Sequence, residues 1–432
     1  MILIDELIEY VKGHETIDII RTNLIRFFGV DETYDIKQLQ NLYQSEEFNE
    51  LNQPLSYFED CIEDIRINHK QYKMIYDNYL VDERSKDVFT KMLYAKIFMD
   101  AEFIGQAYSD DAIYFSESIW KELRPEAYVD CGGYIGDTAL HYIIRQPNYS
   151  NIYIYEPLKE AYEKCCNELA FFVEEGNVSI FPYATCEKER ELAFSEGNKT
   201  GDSKISSNGT LLISGIALDH AIKEPVGFIK MDIEGSEKEA LWGAQNIIQK
   251  YQPQMAICIY HLKDDFWRIP QTILEICPEY RFMIRQHDPQ CYAETVLYCI
   301  PKMGKLLEES KNVSECDFKK LFARLSHAVQ KMVICSKDEC KTIMDSMQAK
   351  PWWISQIRQR ALSYQVLKLW TDELQSGKDW LEEKREEDLK TIQRNSEIYN
   401  EQQSWIHHLE QDNSELKTQV EQLTEYIKIH KL

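Results

Sequence analysis

Between residues 127 and 301, short apolar runs alternate with stretches of helical spacing, and this alternation constrains the fold more than any other feature. Ala127-Tyr128-Val129 leads into a glycine-rich turn, and Ile152-Tyr153-Ile154-Tyr155 ends at Glu156-Pro157. Val178-Ser179-Ile180-Phe181 ends at Pro182, Val226 to Met231 ends at Asp232, and Gln254 to Tyr260 ends at His261. Helical patterns lie between them, as in Lys159 to Phe172 and Ser236 to Lys250. Strand and helix in alternation predict βαβ units and a mostly parallel sheet, an α/β fold. Arg281 to Ile284 and Thr295 to Cys299 read as a closing hairpin at one edge.

The flanking regions differ in character. Residues 1–125 carry apolar positions at helical spacing, such as Leu7, Ile8 and Val11, or Val88, Phe89, Met92 and Leu93. Residues 126–301 form the α/β region, 302–370 a helical extension, and 371–432 a polar segment with heptads. Ile392, Tyr399, Ile406, Asn413, Val420 and Ile427 fit a positions, while Leu409, Leu416 and Leu423 fit d. That period predicts a coiled coil, and an Asn at an a position fixes register and oligomer state. A homodimer, or docking to a partner, is the expected use.

The formal net charge of −24 disfavours nucleic acid as a partner, because an acidic surface repels phosphate backbones. The start carries no basic leader followed by an apolar stretch, and no window approaches the about 18 apolar residues of a membrane span. A cytoplasmic chain is expected. None of the 12 cysteines stands at a zinc-site spacing, and reduced thiols are expected.

In open α/β sheets, ligands sit at the carboxyl ends of strands. Asp130, Glu156, Asp232 and His261 all fall there. Asp130-Cys131-Gly132-Gly133-Tyr134-Ile135-Gly136-Asp137 opens with an acid followed by glycines, which let the backbone turn sharply and approach a ligand closely. It is not the dinucleotide fingerprint, since Cys131 occupies the place of that motif's first glycine, and this counts against a dehydrogenase. Glu156 follows Asp130 by 26 residues, the offset at which an acid can accept hydrogen bonds from both hydroxyls of a ribose. A carboxylate in the first turn of a helix, with Pro157 at its start, is a compatible structural role.

Asp130 to Thr138 with Tyr155-Glu156-Pro157 resembles the FkbM-type methyltransferase family. So do Ile229-Lys230-Met231-Asp232-Ile233-Glu234-Gly235-Ser236-Glu237, Ile257 to His261, and Glu294 to Tyr298. The resemblance spans roughly Val81 to Pro301 and implies a Rossmann-like methyltransferase sheet that binds S-adenosylmethionine. It implies methyl transfer to oxygen, commonly on sugars, glycans and secondary metabolites. Asp130, Gly132, Gly133, Gly136, Asp137 and Glu156 are then the expected cofactor-binding residues, with backbone groups and Asp130 or Asp137 holding the amino-acid end.

Methyl transfer is an in-line displacement that needs alignment and, for a hydroxyl acceptor, a general base. His261 is the first candidate for that base and Asp232 the second, with a structurally hydrogen-bonded strand-end histidine as the competing role. Asp232, Glu234 and Glu237 form an acidic cluster that suits a divalent cation such as Mg²⁺. Charge at a helix N-terminus is the alternative, and it fits Glu237 best. His287 lines the acceptor pocket or lies exposed in a loop. Tyr114 and Phe115 cover the cofactor or belong to the core, and Asp219 caps a local turn. A scaffold acting through its coiled coil, with an inactive methyltransferase fold, is the other class of function.

Overall fold

The structure is a computed structural model that describes residues 4–44, 53–195, 204–205, 211–301, 324 and 327. The expected coiled coil lies outside the described residues, as does the helical extension apart from positions 324 and 327.

Six helices come first: α1 (Ile4–Gly13), α2 (Thr16–Phe28), α3 (Ile36–Gln44), α4 (Leu55–Asn78), α5 (Glu83–Phe98) and α6 (Glu102–Ala107). The helical reading of the first region holds to Ala107. The α/β region continues with β1 (Ala127–Cys131), α7 (Asp137–Arg145), β2 (Ile152–Tyr155), α8 (Lys159–Glu168), α9 (Ala170–Glu174) and β3 (Val178–Phe181). Then come β4 (Ala184–Thr185), β5 (Arg190–Ser195), β6 (Lys204–Ile205), β7 (Leu211–Ile216), α10 (Leu218–Ala221) and β8 (Val226–Met231). The chain proceeds through α11 (Glu237–Gly243), α12 (Gln245–Tyr251), β9 (Gln254–Cys258), α13 (Asp265–Ile276), β10 (Arg281–Gln286) and β11 (Thr295–Ile300).

The main sheet has the order β10-β11-β9-β8-β1-β2-β3. β3, β2, β1, β8 and β9 run parallel, and β11 is antiparallel to both β9 and β10. The expected hairpin exists, but its second strand lies inside, next to β9, and its first forms the edge. From β1 the chain winds outward through β2 to β3, then returns to place β8 on the other side of β1. The switch point therefore lies between β1 and β8, where open α/β sheets bind ligands. The central strands read as continuous apolar runs because both faces are covered: β1 and β8 are buried throughout.

A second sheet, β4-β7-β5-β6, was not anticipated. Its segment is short-stranded and rich in Gly, Ser and charge, so no run of alternation announces it.

The N-terminal helices protect the edge at β10. Leu80 and Tyr108 bridge to Phe282 and Gln286 along that strand. Asp82, which caps α5 by accepting from the Ser85 amide at 2.7 Å, also meets Arg285 of β10 at 2.6 Å. Farther along, Asp64 of α4 accepts from Tyr72 Oη at 2.7 Å and from Trp267 Nε1 of α13 at 2.9 Å. An open strand edge is a template for unwanted pairing, and this packing closes it.

Candidate active site

Asp130 and Lys230 are register partners on β1 and β8. The Lys230 Nζ lies 3.2 Å from Asp130 Oδ1, with 3% and 0% of the two side chains exposed. The same ammonium donates to the Gly132 carbonyl at 2.6 Å, tying the pair to the glycine turn. Burial alone would lower the Lys230 pKa, but Asp130 and Asp232 hold it above the ordinary lysine value. Burial raises that of Asp130, with Lys230 opposing. Asp130 thus faces the interior, and Asp137, half-buried at the start of α7, is the acid of the expected pair with accessible surface.

The turn needs its glycines. Gly132 has φ 84° and Gly136 φ 86°. A Cβ on Gly132 would collide with the Asp232 carbonyl oxygen, and one on Gly133 with the Ile154 side chain. These positions bring the β1 turn against the β8 turn. The Gly132 and Gly133 amides donate to the Tyr155 carbonyl at 2.9 and 3.2 Å. Glu156, 6% exposed, accepts from the Tyr134 amide through Oε2 and from the Leu158 amide through Oε1, both at 2.9 Å. Burial raises its pKa, against the pull of those two amides. Glu156 therefore does have the helix-entry role, and it also holds the glycine turn.

Across Gly132 stands a second cluster. Asp232 accepts from Tyr114 Oη and from Tyr260 Oη, each at 3.0 Å. His261 Nε2 lies 3.4 Å from Asp232 and 3.5 Å from Glu234, and Nδ1 lies 3.1 Å from Glu237. Glu237 is wholly buried, and its Oε1 accepts from the Ile233 amide at 2.9 Å. Burial pushes the His261 imidazole down, but Glu237, Asp232 and Glu234 outweigh it and raise the pKa to about 10. Asp232 is held below the ordinary carboxylate value, because Lys230 and His261 outweigh its burial. Four non-glycine residues at this end adopt left-handed backbone: Tyr114, Tyr134, Glu234 and Glu294, with φ of 63, 43, 56 and 63°. Such strain gathers where function constrains the chain.

The remaining expectations separate cleanly. Tyr114 belongs to the site, whereas Phe115 packs with Tyr128, Tyr142 and Phe228 in the core. His287 is not an exposed loop residue: it is buried, and its Nε2 pairs with Tyr298 Oη at 2.8 Å. Asp219 accepts from the Asn246 and Ile247 amides at 2.9 Å and so caps α12. Sequence reasoning gave no role to Lys230, Tyr260 or Glu294. A lysine inside an otherwise apolar strand, aligned with an acid on the strand beside it, was the available signal for Lys230. Half-buried Glu294 has its pKa raised to about 8 by burial and by Asp232.

The sheet order and the glycine turn at its switch point define an open, mostly parallel α/β domain with a candidate ligand site at that point. Residues 130–288 match the family model described as the methyltransferase FkbM domain, so the resemblance seen in the sequence holds over that segment. Among solved structures, the chain is similar to a methyltransferase FkbM from Methylobacillus flagellatus KT. That match has 25% identity, 56% of this chain and 62% of that one covered, and a TM-score of 0.48. The chain thus spans about three fifths of that relative's length. A putative rRNA-methylase from Clostridium thermocellum matches at 10% identity, covering 48% and 94% of the two chains, with a TM-score of 0.28. TrmK of M. capricolum, solved with S-adenosyl-homocysteine, matches at 10% identity, covering 59% and 95%, with a TM-score of 0.24. No curated protein matches the chain. Among the described residues, no helix is long and apolar enough to cross a membrane.

Proposed function

We propose that this chain is an S-adenosylmethionine-dependent O-methyltransferase acting on a sugar hydroxyl of a glycan or glycosylated metabolite. One observation carries the reading: at a single switch point, a glycine turn without room for side chains meets the Glu156 carboxylate on one side and the Asp232 cluster on the other. The residues fit the cofactor. The turn from Gly132 to Gly136 offers backbone at close approach, and Glu156 has lone pairs left for ribose hydroxyls beyond the two amides it accepts. Asp137 is the acid placed for the amino-acid end. Bound S-adenosylmethionine supplies an electrophilic methyl group on a sulfonium.

Asp232 and His261 face the acceptor. His261 already holds its proton near neutral pH, so it cannot take another. Asp232 is ionised and 23% exposed, and it serves as the group that orients the acceptor hydroxyl and receives its proton. The Tyr114 and Tyr260 hydroxyls fix its two oxygens. The acidic cluster around His261 also suits a divalent cation.

The test is transfer of a labelled methyl group from S-adenosylmethionine to a panel of sugar and glycan acceptors, with Asp232→Asn as control. Label recovered as a methyl ether, and reduced at least 100-fold in the variant, supports the reading. Label recovered only on nitrogen or carboxylate acceptors contradicts the O-methyl assignment.

A further inference from the structure

We propose that His261, Asp232 and Glu234 bind one divalent first-row transition ion of the Mn²⁺ class, with Glu237 orienting the imidazole. This rests on the reading of this end of the sheet as the acceptor site. The ion takes the place of the proton that His261 otherwise holds on Nε2 and releases it to solvent, and it replaces the hard Mg²⁺ suggested by the acids alone.

The cluster contains more than acidic residues. Asp232 Oδ1 and Glu234 Oε2 lie 3.4 and 3.5 Å from His261 Nε2. Ligands about 2.1 Å from a shared ion stand about 3–4 Å apart, so a small movement of the side chains would close them. The His261 side chain is 7% exposed, yet among the described residues its Nε2 makes no well-directed hydrogen bond. The Asp232 and Glu234 carboxylates lie 3.4 and 3.5 Å from it but off the N–H direction. Glu237 Oε2 is buried and unpaired among the described residues in the same way. Buried polar atoms left unsatisfied call for a partner of their own.

Charge points the same way. The carboxylates of Asp130, Asp232, Glu234 and Glu237 outnumber the Lys230 and His261 cations they face. A divalent cation offsets that excess. The division of labour follows from the two ring nitrogens. Nδ1 faces Glu237, whose other contact is the Ile233 amide, while Nε2 faces Asp232 and Glu234. A carboxylate behind a histidine that presents its second nitrogen is the usual support of a metal-bound imidazole. One imidazole with two carboxylates favours Mn²⁺, Fe²⁺ or Zn²⁺ over Mg²⁺, which prefers oxygen ligands and retained water.

The full chain, stripped with chelator, is titrated with Mn²⁺ alone while the free-ion electron paramagnetic resonance signal and the heat of binding are followed. One Mn²⁺ per chain is expected, weakened at least 10-fold by His261→Ala and by Glu234→Gln, and retained against a tenfold excess of Mg²⁺. Glu234 is partly exposed, so its isosteric variant tests ligation even if the histidine variant misfolds. Equal Mn²⁺ binding by wild type and Glu234→Gln overturns the site, and ready displacement by Mg²⁺ overturns its metal class. A chain that binds S-adenosylmethionine but no Mn²⁺ also overturns the metal site while the methyltransferase reading stands. Specific Mn²⁺ binding without cofactor binding supports the metal site and removes that reading.

Discussion

The Tyr134 amide donates to Glu156 Oε2 at 2.9 Å, joining the glycine turn after β1 to the acid that ends β2. A second amide, from Leu158, engages the other oxygen. Glu156 is therefore a clamp between two segments. Glu156→Ala should speed hydrogen exchange at Tyr134 and Leu158 by about 5-fold or more, since a hydrogen bond to a charged group contributes at least about 1 kcal/mol. Unchanged protection at both amides would contradict the clamp.

Lys230 and Asp130 form a buried ion pair beneath the same turn. Lys230→Met leaves a buried carboxylate unpaired, and unfolding free energy should fall by about 3–5 kcal/mol. Adding Asp130→Asn should recover part of that loss, because the two changes are coupled. Denaturant unfolding of the single and double variants checks it; simple additivity would show that the pair does not interact.

Gly132 holds φ 84° against the Asp232 carbonyl. A side chain there must pay for left-handed backbone and displace the β8 turn. Gly132→Ala should cost about 2 kcal/mol or more in stability, read as a lowered Tm. A variant as stable as wild type would mean that the two turns need not touch.

His287 gives the chain a dependence on pH. Burial lowers its pKa to about 4, so the folded state excludes a proton that the unfolded state accepts near about 6.5. The Tyr298 hydroxyl, which accepts from the Tyr114 amide, shares a hydrogen bond of 2.8 Å with Nε2 of the neutral ring. Its contribution to stability is fully present above pH 6.5 and is lost as pH falls toward 4, by at most about 3 kcal/mol. Unfolding of wild type and His287→Gln at pH 7 and pH 5 checks this; equal losses in both would contradict it.

Much of this was legible because the relevant signals are local. Apolar runs that end in Asp130, Glu156, Asp232 and His261 announced the strands and brought these four residues to one end of the sheet, the candidate site. The glycines at 132 and 136 announced a turn, and the structure adds that Gly132 is required by a contact with a strand nearly 100 residues away. Partnerships across the sheet were not legible. Asp130 reads as a cofactor ligand until Lys230 is seen beside it, and His261 reads as a base until three carboxylates surround it. Charge balance in a buried cluster depends on register and packing, which no single segment encodes. The second sheet was missed for a related reason, since its short strands are held by pairing and carry no apolar alternation of their own.

The most direct test of the account is calorimetric titration of S-adenosylmethionine into the folded wild-type chain and into Glu156→Ala. Saturable binding at one site per chain is expected, weakened by about 5-fold or more in the variant. A folded wild-type chain that does not bind S-adenosylmethionine, or a variant that binds it as well as wild type, would contradict it.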